Sequence, residues 1–199
     1  MYRGSGPRIL PLIIVIVIVA LVIAALVTVG RMVFGGGSQS GEQDNKDAVT
    51  TAILDTTAAR SVQWTVRGPI VANENFRSYQ IIVGPKERVY TVYSGYLGEP
   101  LETKRYANNT AAYEQFVFAL NKADAGNIRK ADNVDIRGVC ATDGLVYTFE
   151  TLVNDTVDNT LWGSTCKNSP GTLAANPLQI HALFTNQIPD FKPIFTSIY

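Results

Sequence analysis

The sequence predicts an α+β domain carried behind one membrane-spanning helix, and three observations lead there. An uncharged apolar run fills residues 9–29. Beyond a Gly/Ser-rich spacer, short runs of alternating apolar and polar residues recur between turn signals, the pattern of antiparallel strands. Two further stretches switch to helical spacing, and Cys140 and Cys166 are the only cysteines. The predicted organisation is a short tail (1–8), a transmembrane helix (9–29), a flexible linker (30–46) and an extracytoplasmic α+β domain (47–199). That domain is read as antiparallel β-meanders packed with one or two amphipathic helices and clipped by one disulfide.

The run from Ile9 to Val29 holds about 21 residues, roughly 31 Å as a helix, which matches a hydrocarbon core of about 30 Å. In water it would expose apolar surface on every face, whereas in lipid a helix satisfies its own backbone groups. A cleaved signal peptide has a shorter apolar core and a small-residue cleavage site, and Gly30-Arg31-Met32-Val33-Phe34 offers none. Arg3 and Arg8 precede the helix and Arg31 follows it, so the positive-inside rule favours a cytoplasmic N-terminus. The lipid bilayer is thus the first expected partner.

Gly35 to Gly41 (GGGSQSG) reads as a spacer, and Val49, Ala52 and Ile53 predict a short helix over Asp47–Asp55. Val62, Trp64 and Val66 alternate with polar residues as a half-buried strand, which Gly68-Pro69 marks as an edge strand or a bulge. Phe76–Val83, Val89–Tyr93 and Leu101–Tyr106 continue a meander, with Gly84-Pro85-Lys86-Glu87 as a turn. Tyr113, Phe116, Val117 and Leu120 then recur at i, i+3, i+4 and i+7, the stripe of an amphipathic helix. Asn109 or Thr110 is its N-cap, Lys122 suits its last turn, and Gly126 lies just past its end.

A second meander is predicted from Asp135–Cys140, a hairpin turn at Thr142-Asp143-Gly144, the strand Leu145–Val153, a turn at Asn154-Asp155, and Val157–Trp162. A disulfide between the flanking cysteines would staple its outer strands. Neither cysteine belongs to a C-x-x-C pair, and one histidine cannot complete a zinc site with them. Asn176 caps a last helix that begins at Pro177, with Ile180, Leu183, Phe184 and Ile188 along one face. A tail carrying Phe191, Ile194 and Phe195 is apolar enough to dock on the domain or on a partner.

The inventory for chemistry is short. Net charge is zero, and the three basic residues around the apolar run leave the remainder mildly acidic, a poor match for nucleic acid. His181 is the only histidine and reads as a partly buried structural residue. Asp143, Glu150, Asp155 and Asp158 gather around the second meander, yet Asp143 and Asp155 sit where turns favour Asp for backbone reasons. The Asp155/Asp158 spacing lacks the glycine and glutamate of a calcium loop. Asn108-Asn109-Thr110 and Asn154-Asp155-Thr156 are sequons, meaningful in a host that glycosylates. No catalytic, cofactor or metal site is expected. The candidate binding surface is Arg88, Tyr90, Tyr93 and Tyr96, because tyrosines beside an arginine are a common binding composition and Tyr90 and Tyr93 fall on opposite strand faces.

The runs Trp64–Ile70 (WTVRGPI), Leu161–Cys166 (LWGSTC) and Gln187–Asp190 (QIPD) resemble uncharacterised single-pass surface proteins of small-genome bacteria. That resemblance implies a bacterial envelope location and brings no known activity. The expected function is a non-enzymatic binding module displayed from the membrane, its partner an envelope protein or glycan. The alternatives are a pilin-like or secretion-assembly subunit, weakened by the absence of any Glu in the apolar run, and an envelope hydrolase using Glu150 and Asp158.

Overall fold

The computed structural model describes residues 40–131 and 135–194, with side chains from Lys46 onward. The predicted anchor, most of the spacer and Phe195 lie outside these residues. Among the described residues no helix is long and apolar enough to cross a membrane. The compact unit described below begins at Gln43.

Six antiparallel strands form one sheet in the order β4-β3-β2-β1-β5-β6. They are β1 (Arg60–Arg67), β2 (Arg77–Val83), β3 (Glu87–Ser94), β4 (Glu99–Ala107), β5 (Val146–Val153) and β6 (Thr156–Ser164). Three helices accompany them: α1 (Ser40–Leu54), α2 (Thr110–Lys122) and α3 (Pro177–Thr185). The α+β class and the β1–β4 meander are as the sequence predicts.

Four expectations are corrected. β1 is neither an edge strand nor bulged; it is paired on both sides, with β2 and β5. It ends at Arg67, so the Gly68-Pro69 interruption falls beyond the ladder and costs no strand hydrogen bond. The helix α1 starts at Ser40 and occupies part of the stretch read as linker, because Val49 and Ile53 bury against the core and anchor turns built of Glu, Gln and Lys. The second meander loses its first strand. Gly138 (φ +78°) and Cys140 (φ +56°) take left-handed backbone, so Asp135–Cys140 is a turn-rich loop and Thr142–Gly144 a bend. The Cys140–Cys166 disulfide therefore joins the loop before β5 to the loop after β6, not two outer strands (Cα–Cα 5.8 Å).

The fourth correction concerns the end of α2, where Asp124 rather than Gly126 adopts the left-handed conformation (φ +60°). Ala125 N–H then reaches back to the Leu120 carbonyl at 3.0 Å, a Schellman closure. Gly126 is needed for a different reason: a Cβ there would come within 2.7 Å of Thr50 Oγ1 on α1. The predicted caps hold at Asn109 and Asn176, whose side chains accept from Ala112 N–H (2.9 Å) and Leu178 N–H (3.0 Å).

Alternate residues of the sheet bury on one face together with Val49, Ile53, Tyr113, Phe116, Val117, Leu120, Ile180 and Phe184 of the helices. Trp64 is the centre of this core, stacked between Tyr147 (5.2 Å) and Phe184 (5.7 Å). On the other face, Val146 and Trp162 bury beneath Cys140 in a smaller cluster under the disulfide loop. Gly171 lets the chain pass against Trp162, whose backbone oxygen a Cβ would meet at 2.2 Å.

Candidate functional site

The register places Tyr79 of β2 and Tyr147 of β5 on either side of Val66, in one cross-strand row on the helix-covered face. Above them α3 presents Leu178, His181 and Ala182, because Ile180 and Phe184 turn its opposite stripe into the core. The tail closes the third side with Phe191 and Ile194. Together these residues line a cavity of about 360 Å³.

His181 is its polar centre. The Trp64 indole N–H donates to His181 Nδ1 at 3.3 Å, and the Tyr79 hydroxyl lies 3.4 Å from the same nitrogen. An indole nitrogen only donates, so Nδ1 must keep its lone pair and the ring proton sits on Nε2. A second proton would set two N–H groups against each other. Burial also disfavours the charged ring and pushes the His181 pKa below its ordinary value. The imidazole ring is 6.3 Å from Tyr79, 5.8 Å from Tyr147 and 6.3 Å from Phe191, an aromatic bed on three sides. The Tyr79 hydroxyl also lies 3.5 Å from Nε2, so the site sets a neutral imidazole and a hydroxyl among ring faces.

The four residues of the predicted binding surface are not brought together. Arg88 donates to the carbonyls of Gln187 (3.0 Å) and Ala107 (2.8 Å), tying β3 to the end of α3. Tyr90 is buried, 5.8 Å from Tyr79 and 5.6 Å from Phe191, and burial raises its pKa to about 12. Tyr93 lies on the opposite face and donates to Gln80 Oε1 (3.3 Å). Tyr96 is 44% exposed, stacked on Phe76 at 4.1 Å with its hydroxyl on the Val71 backbone.

The carboxylates are likewise engaged. Glu150 faces away from the cavity and accepts from Gln63 Nε2 and Thr160 Oγ1; burial raises its pKa. Burial would also raise Asp158, but hydrogen bonds from Thr151 and Arg60 outweigh it and hold the group below the usual range. Arg60 bridges Asp158 (2.5 Å) and Asp55 (3.0 Å), fastening β6 to the end of α1. Asp143 and Asp155 are exposed turn residues. Among the described residues no cluster of three His, Cys, Asp or Glu side chains is placed to hold a metal.

No family model matches this sequence, and no curated protein matches it. The site must be read from its own geometry. The sequence marks His181 and an apolar tail, but the convergence of Tyr79, Tyr147 and Phe191 on it depends on β1 lying between β2 and β5, which no local signal announces.

Proposed function

We propose that the chain is a membrane-tethered, extracytoplasmic binding module and that the cavity around His181 receives its ligand. The observation that carries this reading is the cavity itself: aromatic walls, a neutral imidazole at His181 beside the Tyr79 hydroxyl, and a volume within the usual range for small-ligand pockets. The ligand group it suits is uncharged, with an apolar or planar face for the rings and one acceptor for Nε2–H. A glycan ring or an apolar side chain of an envelope protein has that chemistry. The tether rests on the apolar run at residues 9–29, and the disulfide supports an oxidising compartment for the domain. An Asp/Glu hydrolase is the weaker reading, since Glu150 and Asp158 are taken up by Gln63, Thr160, Thr151 and Arg60.

The test is a cavity-filling substitution in the full chain. Ala182→Trp adds a ring at an exposed position on the cavity wall. Capture of an envelope protein or glycan by the wild-type chain should be lost in A182W while the circular dichroism spectrum is unchanged. Capture that survives A182W would remove the cavity as the binding site.

A further inference from the structure

β4 is an edge, and its inner partner is β3. The Asn108 N–H donates to the Lys86 carbonyl, which fixes the alternation: residues 102, 104 and 106 bond to β3, while Thr103 and Arg105 turn their N–H and C=O outward. Among the described residues nothing is hydrogen-bonded to those outward groups of Thr103 and Arg105. The opposite edge is partly covered, since Trp162 of β6 donates its N–H to Thr172 Oγ1 and accepts from Leu173 N–H.

Charges on an edge strand ordinarily discourage pairing with another chain. Here their order does the reverse for one partner. Turn a second β4 antiparallel about Thr103, and Glu102 falls opposite the partner's Lys104 while Lys104 falls opposite the partner's Glu102. Beyond Glu102 the strand is bulged: Val92 pairs with Glu102 but Tyr93 with Pro100, which leaves Leu101 unpaired and ends the regular match there. Thr103 meets its own copy as a hydrogen-bonded pair, using the backbone groups left open. The bulge and Pro100 confine the regular match to Glu102–Lys104, so longer or slipped registers are blocked at that end. Lys104 already lies 3.4 Å from Glu102 and 2.8 Å from Asp190, which holds the ammonium at the strand rather than out in water.

We infer that β4 is a homodimer edge: two copies of this chain join their sheets by antiparallel β4–β4 pairing centred on Thr103, with Glu102 and Lys104 as reciprocal cross-strand ion pairs.

The experiment uses the full chain in detergent. Thr103→Cys should form a covalent dimer on mild oxidation, because a hydrogen-bonded antiparallel pair brings its Cα atoms to about 5.5 Å, within disulfide reach. Thr160→Cys on β6 is the control and should not. Glu102→Lys sets lysine opposite lysine twice and leaves the Lys104–Asp190 pair in place. It should weaken the dimer about thirtyfold in sedimentation, and the double variant Glu102→Lys/Lys104→Glu should recover it. A wild-type mass at the monomer value would overturn the inference. So would cross-linking of Thr103→Cys no faster than of Thr160→Cys, or Glu102→Lys dimerising as well as wild type.

Discussion

Removing the Phe184 ring should detach α3 from the sheet and open the His181 site with it. Phe184 is fully buried and touches three rings: Trp64 at 5.7 Å, Phe116 at 5.1 Å and Phe149 at 6.2 Å. It therefore links the last helix to both the sheet and α2. A buried Phe→Ala change costs about 3–5 kcal/mol, and the loss of three ring pairs keeps Phe184→Ala off the bottom of that range, at about 4 kcal/mol. At about 2–4 °C per kcal/mol for a domain of this size, the midpoint of thermal unfolding should fall by roughly 8–16 °C. Phe184→Leu keeps most of the volume and should cost only about 1.5 kcal/mol. Urea unfolding followed by circular dichroism, with the disulfide intact, measures both variants. A loss below about 1 kcal/mol for Phe184→Ala would refute the packing of α3 described above and, with it, the placement of His181.

Three further outcomes are expected. His181 is the only histidine, so its proton NMR titration is unambiguous; its midpoint should lie below about 6.5. Because the folded pKa is depressed, its contribution to stability is complete above the unfolded value and is lost as pH falls through the folded one. A midpoint at or above the ordinary value would contradict the Trp64 hydrogen bond. Membrane-impermeant maleimide applied to intact cells should label Cys140 and Cys166 only after reduction. Labelling without reductant, and only in permeabilised cells, would overturn the extracytoplasmic reading. With both cysteines replaced by serine, the purified chain should lose about 3.5 kcal/mol in urea unfolding, the loop-entropy value for a separation of 26 residues; no loss would mean that the closed loop does not constrain the unfolded chain.

Local signals carried much of the architecture. Asn109 and Asn176 capped their helices because a side-chain acceptor two or three residues ahead of free N–H groups needs nothing else from the fold. Asn154 and Asp155 turned the β5–β6 hairpin with the left-handed dihedrals such a turn requires (φ +49° and +61°). Gly68-Pro69, by contrast, misled about β1, since a proline says where a ladder stops but not which strand stands beside it. The loop before β5 misled as well. Its apolar residues Ile136 and Val139 pack with the disulfide cluster rather than pair as a strand.

The sequence alone determined the apolar run, the strand and helix periods, the cysteine pair and the want of a recognisable catalytic motif, because each is written in neighbouring residues or in composition. Tertiary structure decided strand order, and through it everything at the site. Tyr79 and Tyr147 are 68 positions apart in the chain and meet His181 only because β1 separates their strands by one step. Which strands adjoin is a matter of long-range burial, where many alternating strands offer equivalent apolar faces. Only the joint packing of Trp64, Phe184 and their neighbours selects one arrangement.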